Sequence, residues 1–319
     1  MKLTFWGTRG SISSSLASTE FYVKAKRLLM NATDIDLEDE QAVDEYLLSR
    51  PVPEAMTFGG NTPCVEVQHD GRRLILDCGS GLFQLGRHMM STGFSGGKRI
   101  DILQSHTHWD HINGFPFFQP AFTNDTDIHI HGIHPNLKAR FEQQMDRIHF
   151  PITLDDMTAS LTFDQEQSGE AFSVPGFEVE SMGLHHPGGS YAYKIKAGGQ
   201  TIVYATDGEY KGTSDEVYEP FVEFYRDADL LIFDAMYSTM EKVIEKENYG
   251  HSTPVIGIRL ALSAGVKNLA LFHHDPECND NQIARTYDNA REYLRLRGSE
   301  MRDNPLELII TYDGLEMDI

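Results

Sequence analysis

Short apolar runs recur along this chain, each closed by polar or turn-forming residues. They fall at 2–6, 64–67, 73–77, 100–104 and 127–131, and again at 177–182, 191–196, 201–205, 230–233, 268–272 and 306–310. Runs of this length, bounded by Gly, Asp and Pro, predict strands. His69-Asp70-Gly71 and Gly198-Gly199 predict hairpin turns between neighbours. Helical spacing is found at 82–90, 136–148, 215–225, 254–264 and 281–297. Two strand-rich halves with helices outside predict an α/β fold, a four-layer αββα sandwich. Residues 1–319 then form a single domain with its site at the strand ends.

Residues 12–58 interrupt this rhythm as an acidic helical insertion. Ser18-Thr19-Glu20 can cap a helix through Leu29 with Phe21, Ala25, Leu28 and Leu29 on one face. A second helical pattern holds Leu37, Val43, Tyr46 and Leu47, and Pro51 and Pro53 end it. A solvated excursion, a lid and a dimerisation arm all fit.

The chain is 40% hydrophobic and 10% aromatic, enough for a sizeable core, and its formal net charge is −21. That balance argues against a tight, general nucleic-acid binder, which needs Lys and Arg. A small anionic substrate stays open, because bound dications reverse the local field. Three cysteines, Cys64, Cys78 and Cys278, suggest buried thiols in a reducing compartment. No run suits a signal peptide or a membrane span. A soluble cytoplasmic protein is the expectation.

The densest chemistry is His106-Thr107-His108-Trp109-Asp110-His111, directly after the run 100–104. In extended backbone His106 and His108 project to the same side. Asp110 and His111 come from the turn that leaves the strand. One segment can therefore serve two neighbouring metals, and imidazole with carboxylate suits zinc, iron or manganese. A second His-x-His, His129 and His131, lacks a following Asp-His and reads as structural. Gly79-Ser80-Gly81 lacks the spacing of a phosphate-binding loop.

HTHWDH resembles the metal-binding signature of the metallo-β-lactamase fold. The resemblance runs from Met1 to about Thr311, with one interruption. It is nearest to the phosphodiesterase-like branch, which includes tRNA 3′-processing endonucleases and cyclic-phosphate phosphodiesterases. It implies that His186, before Pro187-Gly188, is a ligand, with His185 as the fallback. It implies that Asp207, in an Asp-Gly turn, is a bridging carboxylate, although turn chemistry alone also explains such an Asp. It makes His273 the last ligand, ahead of His274, with Asp275 behind.

Two divalent ions follow from the resemblance, zinc first, with manganese or iron as alternatives. One is held by His106, His108, His186 and Asp207. The other is held by Asp110, His111, His273 and Asp207. An aspartate at Asp77 is implied behind the metals, fixing a histidine. His251 of Gly250-His251-Ser252-Thr253 matches a His-x-Thr motif that lies opposite the metals in the tRNA-processing branch. Its other reading is a helix start at Thr253-Pro254. Arg9, in the loop Gly7-Thr8-Arg9-Gly10, is either a phosphate contact or a surface residue.

These expectations describe a binuclear metallo-hydrolase of phosphodiesters, whether a cyclic nucleotide, a cyclic phosphate or an RNA end. Asp110 orients a metal-activated hydroxide and His251 assists departure of the alkoxide. The acidic charge favours a small anionic diester over a large RNA. A homodimer is carried by analogy with the fold alone. Two other chemistries stay open on the same fold. A di-iron redox or oxygen-binding protein carries a carboxylate where this chain has His108. A thioester or lactam hydrolase fits the His-x-Thr motif less well.

Overall fold

The computed structural model describes residues 1–212, 215–238, 244–297 and 305–319. In chain order, β1 (Lys2–Gly7) leads to α1 (Ser18–Asn31), α2 (Glu40–Leu48) and α3 (Val52–Ala55). Then come β2 (Cys64–His69), β3 (Arg72–Leu76), α4 (Gly81–Ser91), β4 (Arg99–Gln104), α5 (Trp109–Ile112), β5 (Asp127–Gly132), α6 (Leu137–Gln144) and β6 (Ser160–Gln165). The second half holds β7 (Phe172–Val174), β8 (Phe177–Leu184), β9 (Ser190–Ala197), β10 (Gln200–Ala205), α7 (Asp215–Tyr225) and β11 (Leu230–Asp234). It ends with α8 (Pro254–Ala264), β12 (Asn268–Phe272), α9 (Asp280–Arg297), β13 (Glu307–Ile310) and β14 (Glu316–Asp318).

The strands form two seven-stranded sheets, ordered β14-β1-β2-β3-β4-β5-β6 and β13-β12-β11-β10-β9-β8-β7. Period-two alternation sorts their side chains into layers. Leu74, Leu76 and Leu103 of the first sheet meet Ile195, Ile202, Tyr204 and Ile232 of the second in one buried core. Ile100, Ile102, Ile128 and Ile130 face outward onto Leu82, Leu85, Leu137 and Phe141 of α4 and α6. Val203, Leu231, Phe233 and Leu269 face outward onto Tyr225, Ile256, Leu260 and Ala290 of α7, α8 and α9. The architecture is the expected αββα sandwich.

Strand direction places the site. In the first sheet β3, β4, β5 and β6 run parallel. In the second, β10, β11, β12 and β13 do the same. Parallel strands share a carboxyl edge, where their loops gather and ligands bind. The hairpin between β2 and β3 turns on Asp70 (φ 46°) and Gly71 (φ 73°), the two left-handed positions its tight turn requires.

Three strands have no counterpart in the apolar pattern: β6, β7 and β14. Edge strand β6, Ser-Leu-Thr-Phe-Asp-Gln, has no fully buried residue and therefore no strong hydrophobic signature. Helix α6 stops at Gln144, short of the expected 148, because the Asp146 carboxylate takes the Ile148 N–H at 2.8 Å in a turn. The insertion is helical as expected. Helix α1 begins after Ala17, whose N–H donates to Glu20 at 3.2 Å, so Ser18 lies inside the helix rather than capping it. Asp39 caps α2 by accepting from the Gln41 N–H at 3.0 Å. The Tyr46 hydroxyl ties the two helices by donating to the Leu28 carbonyl at 2.8 Å. Among the described residues no helix is long and apolar enough to cross a membrane.

Candidate metal centre

The carboxyl edges of the two sheets bring one cluster together. His106, His108, Asp110 and His111 leave β4 and enter α5, His186 follows β8, Asp207 follows β10, and His273 follows β12. Three residues that leave strands here have positive φ: Asp77 at 63°, Asp207 at 56° and His273 at 61°. Such backbone is uncommon outside glycine and is enriched in Asp and His. It turns each chain sharply at the sheet edge.

The carboxylate of Asp207 stands at the middle. Its Oδ1 lies 3.9 Å from Nε2 of His106 and 3.8 Å from Nε2 of His186. Its Oδ2 lies 3.2 Å from Nε2 of His111 and 3.3 Å from Nε2 of His273. Asp110 Oδ2 is 3.3 Å from both of those nitrogens and accepts the Ser11 N–H at 2.7 Å. His108 completes the first group, with its Nδ1 2.9 Å from Nε2 of His186.

The outer nitrogens of three rings are engaged from behind, which fixes their tautomers. His186 Nδ1–H donates to the Gly250 carbonyl at 2.9 Å. His111 Nδ1–H donates to Asp77 at 2.7 Å. The Ser105 hydroxyl donates to the same Asp77 oxygen at 2.7 Å and accepts from His106 Nδ1–H at 3.1 Å. Asp77 also takes the Tyr204 hydroxyl at 2.8 Å and the Ser105 N–H at 2.7 Å. Each inner Nε2 faces the cluster and offers a lone pair when its ring is neutral.

The electrostatics follow. Burial holds His106, His108 and His186 below the usual imidazole range, so they are neutral donors. Burial also opposes charge on His111, but Asp110, Asp207 and Asp77 outweigh it and raise that ring well above its usual range. Burial alone would raise Asp207, yet His273, His111 and His106 hold it well below the carboxylate range. Buried carboxylates against buried imidazoles create a field that favours cations.

The residues fit a pair of metals. Nε2 of His106 and of His111 are buried atoms with no hydrogen-bond partner. A buried imidazole nitrogen without a partner is costly unless something else binds it. Donor atoms of His106, His108 and His186 lie within 4.8 Å of one another, as do those of Asp110, His111 and His273.

The alternatives resolve by direction. His274 is buried behind the centre, with Nε2–H donating to the Thr311 carbonyl at 2.8 Å, while His273 faces Asp110 and Asp207. His185 is exposed, while His186 points inward. Arg9 is neither a phosphate contact nor a surface residue. It is buried and donates to the carbonyls of Gly59, Asp275 and Cys278 at 3.0, 2.9 and 2.8 Å. His129 and His131 form a separate cluster with Asp101. Each of their ring nitrogens lies about 3 Å from a carboxylate oxygen of Asp164, Asp127, Glu166 or Asp101.

Sequence reasoning missed Asp234. It is buried at the end of β11 and accepts His251 Nδ1–H at 2.8 Å, the Met236 N–H at 3.0 Å and the Ser252 N–H at 3.2 Å. The signal was available: Leu230-Leu231-Ile232-Phe233-Asp234 ends an apolar strand on a carboxylate, as Asp207 nearly ends another. His251 itself faces the cluster, its Nδ1 3.7 Å from Asp207 Oδ1.

Fold and site together define a metallo-hydrolase with a two-part imidazole–carboxylate centre. Residues 72–274 match the model of the beta-lactamase superfamily domain, and the chain belongs to that superfamily. Its members' fold implies divalent metal at this edge. Among its relatives, a ribonuclease Z of Picrophilus torridus is 26% identical over 269 residues, covering 70% of this chain and 82% of that protein. The metallo-beta-lactamase fold protein YhfI of Bacillus subtilis superposes with a TM-score of 0.62 at 18% identity, covering 99% of each chain. The short form of human tRNase Z gives 0.61 at 18% identity, covering 100% of this chain and 99% of that one.

Proposed function

We propose that this protein is a metal-dependent phosphodiesterase acting on nucleotide substrates, with RNA ends the first class to test. One observation carries the reading: Asp207 divides its two oxygens between two groups of inward-facing histidines. The ribonuclease Z kinship supports the choice of phosphodiester over other esters. The preference for a small diester over a large RNA, drawn from the acidic charge and the absence of an obvious basic, Gly-rich arm in the sequence, has no support in those relatives.

His106, His108, His186 and Asp207 would hold one dication, and Asp110, His111, His273 and Asp207 the other; zinc is the first choice for this donor set. Such a pair, when bound, supplies positive charge to the diester oxygens and makes water more acidic. The chain's own residues do the rest. Asp110 is kept ionised, because His111 and His273 outweigh the effect of its burial. Its oxygen, fixed by the Ser11 N–H, can accept a hydrogen bond from the attacking water. His251 lies at the mouth with its Nδ1–H on Asp234, which leaves Nε2–H to protonate the departing oxygen. Burial opposes its charge, but Asp234, followed by Asp207 and Asp110, outweighs burial and raises it to about 9, which favours the protonated ring.

The test is hydrolysis of a 3′-extended RNA, a cyclic nucleotide and a chromogenic nucleotide diester, beside a thioester and a β-lactam. Cleavage of diesters alone, abolished in Asp110→Ala, supports the reading. Cleavage of the thioester or lactam instead overturns it.

A further inference from the structure

The mouth of the centre opens onto a groove that the metal-binding residues do not use. Ser11, Thr107 and Trp109 line both the mouth and an adjoining cavity of about 1110 Å³, which continues to Arg140 and Gln143 on α6. Trp109 is 82% exposed. Its neighbours His108 and Asp110 belong to the centre, so the backbone fixes the indole at the rim. An indole left in water at a cavity mouth offers a large π-face with nothing packed on it. Arg140 is positioned rather than loose: Nη1 donates to Thr107 Oγ1 at 2.9 Å and Nε to the Pro135 carbonyl at 3.3 Å. A guanidinium has five donors, so others remain for an anion. In a chain of net charge −21, a fixed cation beside the centre is a selective feature.

We propose that this groove is a nucleotide subsite in which Trp109 stacks on a base of the substrate and Arg140 takes an adjoining phosphate. The ligand's chemistry rests on the phosphodiesterase reading. An aromatic face and a cation together suit a nucleotide, since every base has a π-face and every nucleotide an anion. Neither feature serves a β-lactam or a simple alkyl ester.

Two arms test it on the metal-loaded full-length chain. The first compares thymidine 5′-(4-nitrophenyl phosphate) with methyl 4-nitrophenyl phosphate, which share a leaving group and differ by the nucleoside. Trp109→Ala is expected to lower kcat/KM about tenfold for the nucleotide diester, mainly through KM, and to leave the methyl diester unchanged. Trp109→Phe restores most of the loss. The second arm uses Trp6→Phe, which leaves Trp109 as the sole indole of the two in the sequence. AMP is expected to quench its fluorescence where ribose 5-phosphate does not, and Arg140→Ala to raise the AMP concentration required. An unchanged ratio of the two diesters in Trp109→Ala, or equal responses to AMP and ribose 5-phosphate, overturns the subsite. Failure of the wild-type enzyme on both diesters would count against the phosphodiesterase reading alone, and the fluorescence arm still decides the subsite.

Discussion

Asp234 holds His251 by a 2.8 Å hydrogen bond from Nδ1–H, and the same carboxylate oxygen lies 3.6 Å from Nδ1 of His273. One buried acid thus orients the proposed proton donor and places negative charge beside a candidate ligand. Protonation matters most for a poor leaving group. His251→Ala is therefore expected to lower kcat about a hundredfold for an alkoxide leaving group and far less for 4-nitrophenolate. Equal losses for both would contradict a proton-donor role. Asp234→Asn removes the charge that overcomes burial and keeps His251 high, so the alkaline limb of the pH–kcat profile should move to lower pH.

Gly10 is small because His273 leaves no room. A Cβ at Gly10 would lie 2.5 Å from Cε1 and Nδ1 of that ring, and 2.7 Å from Cε of Met236. Gly10→Ala should displace the imidazole, weaken binding of one metal about 10- to 100-fold and leave the fold intact. Calorimetric titration with zinc, beside circular dichroism, checks both halves of this expectation. Gly250→Ala should act on the other metal, since its φ is +83° and a Cβ would meet His186 Nδ1 at 2.1 Å.

His274 sets part of the acid limit of stability. Burial, reinforced by Arg9 and His273, outweighs the bond to Thr311 and lowers its pKa to about 4. An unfolded histidine titrates near 6.5, so between about 6.5 and 4 the unfolded chain binds a proton that the folded chain refuses. The stabilisation is complete above pH 6.5 and is lost as pH falls toward 4. Integration over that window gives roughly 3 kcal/mol. Urea unfolding of metal-free protein at pH 7.5 and pH 4.5 should show a larger acid loss in wild type than in His274→Gln. Parallel losses would show that His274 is not responsible.

Removing metal should destabilise the folded chain, since the centre is assembled from both sheets and exists only when they are packed. Zinc at a thousandfold excess over its Kd adds about 4 kcal/mol by mass action. Thermal unfolding with chelator, then with zinc restored, measures this. A transition that ignores both would contradict a metal built into the fold.

Much of this site was legible in the sequence, because apolar strands that end in His or Asp mark a parallel-sheet edge directly. The sandwich followed from strand and helix spacing, and α8 and β12 lie where the pattern put them. Asp234 carries the same strand-end signal, but its role needs a partner, His251, that only the fold brings near. Arg9 was misread because its carbonyl partners Asp275 and Cys278 are remote in sequence. The choices of His186 over His185 and His273 over His274 needed ring directions, which neighbouring histidines do not reveal in sequence. Edge strand β6 was invisible because its half-exposed residues need no apolar alternation.

The most direct test of the account is a zinc titration of the metal-free enzyme followed by hydrolysis of a nucleotide diester. Activity should rise to a maximum at about two equivalents per chain. Asp207→Ala, which removes the carboxylate shared by both histidine groups, should bind less metal and stay inactive at any zinc concentration. Full activity at one equivalent, or an Asp207→Ala variant that retains both metals and turnover, would contradict a two-metal phosphodiesterase.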